Sequence, residues 1–191
     1  MFTGIIEEQG VVQNIERRKN LCILTIKSQQ IFKGTKIGDS LAVNGVCLTI
    51  TNIHENILTF DIMLETIRKT TLDGLGWGVP VNLERAMKEN SRFDGHFVLG
   101  HVDDVGIIKK RLAQANYVEF RISIVKKLQR FLAPKGSICI DGVSLTIGEV
   151  KKDYFLVYLI PHTLKVTTLG KKMEKDKVNI EVDILARYIL K

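Results

Sequence analysis

Seven residues are written twice in this chain. NGVCLTI runs from Asn44 to Ile50, and DGVSLTI runs from Asp141 to Ile147. The copies differ only at Asn44/Asp141 and Cys47/Ser144. Three further blocks recur in the same order and nearly the same register. GIIEEQGVV from Gly4 answers GHVDDVGII from Gly100, LETIRKTTLDG from Leu64 answers IPHTLKVTTLG from Ile160, and VNLE (Val81 to Glu84) answers VNIE (Val178 to Glu181). Four blocks in constant order make the chain an internal duplication. Each copy is too long for a solenoid unit and about the right size for a small domain. The expected units are residues 1–96 and 97–191, with the boundary in the polar stretch MKENSRFDG (Met87 to Gly95).

Each half reads as mostly strand. GVVQNI, LCILTIK, SLAVNGVCLTITNI, ILTFDIM and VPVNLE are short, rich in Val, Ile, Leu and Thr, and bounded by Gly, Asn and Asp. The second half repeats them as VGIIKK, YVEFRISI, GSICIDGVSLTIGEV, YFLVYLI and KVNIEVDIL. Asn44-Gly45 and Asp141-Gly142 are hairpin turns, because the type I′ turn needs two residues at positive φ. Closely spaced short strands with turn signals make the fold mainly β, each half a small barrel or sandwich. TIRKTTLDG and TLKVTTLGK each allow a helical turn or two, stopped by Gly74 and Gly170. Ile124 to Leu132 has the apolar spacing of a short helix, and ILARYILK that of an amphipathic C-terminal one.

Composition narrows the function. Hydrophobic residues make up 45% of the chain, enough for packed cores, and no apolar run has the length of a membrane-spanning helix. The three cysteines, Cys22, Cys47 and Cys139, have no metal-ligand spacing, so free thiols and no metal are expected. The net charge of +7 is spread over short clusters such as Lys109–Arg111 and Lys171-Lys172. Solvated loops explain these more simply than nucleic-acid binding, which would also want aromatic residues on the strands, and only 7% of the chain is aromatic.

The heptads are the places for chemistry. Strand alternation puts Cys47 and Thr49, and likewise Ser144 and Thr146, on one side two residues apart, a wall suited to a heterocycle with carbonyls and ring nitrogens. His101 stands where the first copy has Ile5. An imidazole gained by one duplicate can shuttle protons at physiological pH. Nothing in sequence activates Cys47 as a nucleophile.

These residues carry a resemblance. MFTGIIEEQG, NGVCLT, GHFVLGHVD, IDGVSLTIGEV, LIPHTL, TTLG and VNIEVD, in that order on a duplicated chain, are similar to motifs of the riboflavin synthase family (α-chain type) over nearly the whole length. The resemblance implies two tandem, homologous, six-stranded Greek-key β-barrels that bind lumazine, a short C-terminal helix, a homotrimer and no cofactor. It implies dismutation of two 6,7-dimethyl-8-ribityllumazine molecules to riboflavin and 5-amino-6-ribitylaminouracil by transfer of a four-carbon unit. It also raises an association with lumazine synthase and a cytoplasmic location, with no nucleic acid or membrane partner.

Carried over by motif, the N-terminal pocket takes Gly4, Ile5 and Ile6, then Cys47, Leu48 and Thr49, then Asp61, Ile62, Met63, Leu64, Glu65 and Thr66. The C-terminal pocket takes His101, Lys135, Ser144, Leu145 and Thr146, with Ile160, Pro161, His162, Thr163, Leu164 and Lys165. Backbone groups would meet the pyrimidinedione, and Thr66 and Thr163 the ribityl hydroxyls. His101 and Ser144 are the first candidates for proton handling, and Cys47, Ser40, Thr146 and Asp183 the secondary ones. Asp94 and His162 depart from the family pattern, which usually has Gly and often has Glu there. The tail after Asp183 is shorter than the family's helix, which would weaken a trimer. The rival on the same scaffold is a non-catalytic lumazine- or flavin-binding antenna protein.

Overall fold

A computed structural model describes residues 1–190. The first half folds into β1 (Glu8–Arg17), β2 (Leu21–Lys27), β3 (Ser40–Val43), β4 (Val46–His54), β5 (Ile57–Met63) and β6 (Pro80–Arg85). The second folds into β7 (Asp104–Ala113), β8 (Val118–Ser123), β9 (Ser137–Ile140), β10 (Val143–Val150), β11 (Tyr154–Leu159) and β12 (Lys177–Val182). Each half closes into an antiparallel six-stranded barrel, with order β1-β2-β5-β4-β3-β6 in the first and the same cyclic order in the second. Closure removes sheet edges, which suits strands this short. The copies share irregularities too. β1 shifts register between Val12 and Asn14, and β7 between Ile108 and Lys110.

Two separate cores fill the barrels. Leu24, Ile26, Leu41, Ile50, Phe60 and Leu83 line the first; Phe120, Ile122, Ile138, Ile147, Phe155 and Ile180 line the second. Each such side chain contributes about 1.5–3 kcal/mol by leaving water. A third, smaller cluster (Phe2, Ala42, Val98 and Cys139) lies where the halves meet. The three cysteines are free.

The helices are short, as the sequence suggests. α1 (Leu64–Lys69) and α3 (Pro161–Val166) each run into a 3-10 turn, at Thr71–Gly74 and Thr168–Lys171. The expected helix over Ile124–Leu132 shrinks to α2 (Lys126–Gln129), and its flanking bonds are i→i−3, from Leu128 to Val125 and from Leu132 to Gln129. Ile124, Leu128 and Leu132 are all buried, so tight coiling still serves the core. No side chain caps this helix, and its first residues are two lysines, which oppose the helix dipole. α4 (Ile184–Ile189) is capped by Asp183, whose carboxylate accepts from the Leu185 N–H at 2.9 Å. Lys191, the last residue of the expected C-terminal helix, lies outside the described residues.

The two hairpin turns meet at the seam. Asn44 and Gly45 have φ of 45° and 76°, and Asp141 and Gly142 have 46° and 83°, as the type I′ reading requires. A Cβ on Gly45 would lie 2.6 Å from the Gly142 nitrogen, so the turns touch backbone to backbone. Two buried asparagines cross-brace them. Asn82 Nδ2 donates to the Asp141 carbonyl and Asn179 Nδ2 to the Asn44 carbonyl, both at 2.8 Å. Their Oδ1 atoms accept from Thr168 N and Thr71 N, both at 2.7 Å.

Candidate active site

The segments before β1 and β7 are anchored to their own halves but reach across to the other. The chain start passes to the second barrel, where Ser144 N donates to the Gly4 carbonyl at 2.8 Å. The segment before β7 passes to the first barrel, where Cys47 N donates to the Gly100 carbonyl at 2.9 Å. The two straps also pair with each other through Phe2 and Val98. Their apolar residues follow. Ile6 packs on the second core and Val102 on the first.

Glycine is needed at each crossing. Gly4 and Gly100 have φ of +80° and +78°, and a Cβ there would lie 2.7 Å from Ser144 N or 2.8 Å from Cys47 N. Two buried glutamates hold the straps in place. Glu84 accepts from Thr3 N at 2.7 Å, Thr3 Oγ1 at 2.8 Å and Gly4 N at 3.0 Å. Glu181 accepts from Leu99 N at 2.7 Å, Gly100 N at 2.9 Å and His101 N at 3.0 Å. Burial raises both carboxyl pKa values, and the N–H donors act against it.

This exchange corrects the grouping expected from sequence. Gly4 meets Ser144 and Ile6 packs on the second core, not beside Cys47, with exposed Ile5 between them, and His101 shares a cleft with Cys47, not Ser144. The physical reason is the strap path, which periodicity does not encode. Cys47, Glu65, Thr66, Lys69, His101 and Val102 line one cleft of about 260 Å³. His101 reaches it with an exposed imidazole, and Thr66 with a half-buried side chain. Ser40 lies directly across from Thr49 on the neighbouring strand, and Ser137 across from Thr146.

The second site has its own imidazole, which sequence reasoning passed over. His96 Nδ1 lies 2.7 Å from Ser144 Oγ, and His96 is 7% exposed. Burial holds its pKa below the ordinary value, with nearby Asp183 opposing, so the ring is neutral at pH 7.

Several candidates support the walls rather than face the clefts. Leu48 and Ile62 are buried in the first core, Leu64 packs against it, and Leu145 and Leu164 pack against the second. Leu48 and Ile62 leave only their backbone for a ligand, whereas Leu64, Leu145 and Leu164 stay half-buried. Met63 and Ile160, equivalent in the two copies, are 69% and 57% exposed at the entrances to α1 and α3. Asp61, Lys135, Pro161, His162 and Lys165 are exposed, and Thr163 is half-buried like its twin Thr66. The missed residues had a legible sign. VNLE and VNIE put Asn and Glu, twice, inside strands otherwise made of core residues.

Known proteins share this architecture. The lumazine binding domain family model matches residues 3–86 and 99–183. The chain is 45% identical to riboflavin synthase of Actinobacillus pleuropneumoniae over 189 residues, 99% of this chain and 88% of that protein. It is 44% identical to riboflavin synthase of Bacillus subtilis (strain 168), with the same 99% and 88% coverage. Against riboflavin synthase of Mycobacterium tuberculosis (strain ATCC 25618 / H37Rv) it is 42% identical, covering 99% and 96%. The crystal structure of LumP complexed with riboflavin superposes with a TM-score of 0.88 at 27% identity, covering 95% of this chain and 99% of that one. LumP complexed with 6,7-dimethyl-8-(1'-D-ribityl) lumazine gives 0.86 at 25%, with the same coverage.

Proposed function

The chain belongs to the riboflavin synthase family of tandem lumazine-binding proteins, and from that premise we propose that it joins two molecules of 6,7-dimethyl-8-ribityllumazine. One molecule gives four carbons and becomes 5-amino-6-ribitylaminouracil. The other gains them and becomes riboflavin. The observation that carries this reading is the pair of equivalent yet non-identical sites, one at Cys47 with His101 and one at Ser144 with His96. A reaction between two copies of one molecule needs two pockets for the same ring. Holding both rings in place supplies much of the rate by orientation.

The remaining work is proton transfer. A lumazine 7-methyl group is acidic, and His101 in the first cleft can take or return its proton. At the second site, Ser144 Oγ beside neutral His96 can hold or relay a proton during addition at the acceptor ring. Cys47, Ser40, Thr146 and Asp183 take secondary roles, and Thr66 and Thr163 bind the ribityl hydroxyls. The chemistry is a transfer between two substrates and uses no cofactor. We take residues 1–96 and 97–191 as the two units, each lending its first residues to the other.

In the homotrimer we propose, the first barrel of one subunit faces the second barrel of its neighbour, so that donor and acceptor meet. Such a protein works in the cytoplasm, where lumazine synthase is a reasonable neighbour. The non-catalytic antenna reading fits less well, since identity to LumP is 25–27% while identity to the synthases named above is 42–45%.

Purified protein incubated with 6,7-dimethyl-8-ribityllumazine should yield riboflavin absorbance. His101→Ala and Ser144→Ala should each lower turnover by about 10²-fold or more, the scale of general acid–base help. Tight binding without turnover would establish the antenna reading instead, and full turnover in both variants would remove these proton roles.

A further inference from the structure

The two barrels enclose a second cleft, on the seam rather than at the heptad sites, with a volume of about 640 Å³. It shares only Thr70 with the Cys47 cleft. Its lining is strongly basic. Arg68 comes from α1, Lys171 from the end of the Thr168–Lys171 turn, Lys172 and Lys175 from the loop after it, and Lys177 from the start of β12. Two carboxylates share the lining, but both are engaged. Asp73 pairs with Arg17 at 2.9 Å, and Asp176 accepts from the Met173 N–H at 2.8 Å. Lys172 lies 3.6 Å from buried Asp141, whereas Arg68, Lys171, Lys175 and Lys177 have no carboxylate within ion-pair distance among the described residues.

A basic loop alone is ordinary solvated surface. The floor of this cleft is not ordinary. Thr168 lines it and is 4% exposed, yet its Oγ1 has no hydrogen-bond partner. The equivalent Thr71 from the other half also lines it, and its buried Oγ1 is likewise unpartnered. A buried hydroxyl left unpaired costs on the order of 1–3 kcal/mol, so two at one site call for an acceptor. An acceptor that also satisfies four free cations is an anion. Phosphate oxygens accept from hydroxyls and ammonium groups at once. We propose that the seam binds a small phosphorylated anion carrying two or more negative charges. The cleft has room for a pyrophosphate group with an attached ring, and the lumazine sites contribute nothing to it beyond Thr70. A ligand there touches α1 and the Thr168–Lys171 turn, which belong to different barrels, and so reports on their relative position.

The test uses the full-length protein and inorganic pyrophosphate at constant ionic strength, with calorimetry as the readout. Saturable binding with a dissociation constant below about 1 mM is expected. Lys171→Gln/Lys175→Gln should weaken it at least tenfold with the ligand-free melting temperature unchanged, and Thr168→Val several-fold with that temperature raised, because it removes the unpaired hydroxyl. Lys151→Gln/Lys152→Gln removes the same charge from the β10–β11 hairpin and should leave binding intact. A nucleoside diphosphate arm separates a nucleotide ligand, which should bind more tightly than pyrophosphate, from a purely inorganic one, which should not. Non-saturable heats matched by sulfate, equal losses in both lysine pairs, or binding confined to long oligonucleotides would each overturn the proposal.

Discussion

Asp141 and Asn44 occupy equivalent places in the two hairpins and make equivalent bonds. Asn44 Oδ1 accepts from Asn82 N, and Asp141 Oδ1 from Asn179 N, each at 2.7 Å. Only Asp141 can ionise. It is fully buried, and burial raises its pKa from 3.8 to about 6, although Lys172 pulls the other way. Its Oδ2 accepts no hydrogen bond. The folded protein holds this proton more tightly than the unfolded chain, so the contribution is full below pH 3.8 and is lost as pH rises through about 6. The loss is on the order of 2–3 kcal/mol. Asp141→Asn keeps the bond to Asn179 and removes the charge, as Asn44 already does. Denaturant unfolding from pH 4 to 7 should show a decline in the parent that is flattened in the variant. An equal slope in both would mean that Lys172 neutralises the carboxylate completely.

At the scale of elements, the straps decide which side chains meet. Glu181 gathers three successive N–H groups and so fixes where His101 enters the Cys47 cleft. Glu181→Gln points an amide N–H at one of those donors. It should cost about 1–3 kcal/mol in stability and lower turnover by misplacing His101, while Thr66 and Cys47 remain in place. Stopped-flow turnover beside a melting curve checks this, and unchanged turnover at reduced stability would leave the strap without a catalytic role. The same region marks how far the sequence could be read. Asn44-Gly45 and Asp141-Gly142 announced their hairpins, and alternation announced the strands, because both signals are local; closure into barrels rather than a sandwich is not. Gly4 and Gly100 stood out as a repeated pair, but their partners are 140 and 53 residues away (144 − 4 and 100 − 47). No period in the strap says which barrel it will cover, so the grouping of His101 with Ser144 failed. His96 was visible in GHFVLGH, but its 2.7 Å contact depends on the same crossing.

At the scale of the whole molecule, an apolar surface stands without cover in the chain. Leu185, Tyr188 and Ile189 of α4 are 51%, 72% and 79% exposed, while Arg187 ties the helix to the second barrel through Asp103. A helix held by a charged face with its large apolar residues outward is arranged for contact with another copy. This favours the proposed trimer, and it makes the two sites interdependent. Each chain carries both sites, and in the proposed trimer one ring from each meets across subunits. Subunit contact and turnover should therefore fail together, while lumazine binding survives. Sedimentation velocity at micromolar concentration should show a trimer for the parent. Tyr188→Glu/Ile189→Glu should shift it to monomer and lower turnover by at least tenfold, with bound lumazine fluorescence retained. A monomeric parent with full turnover would place both rings within one chain, and the pairing of sites would then have to be sought across the seam at Gly45 and Gly142.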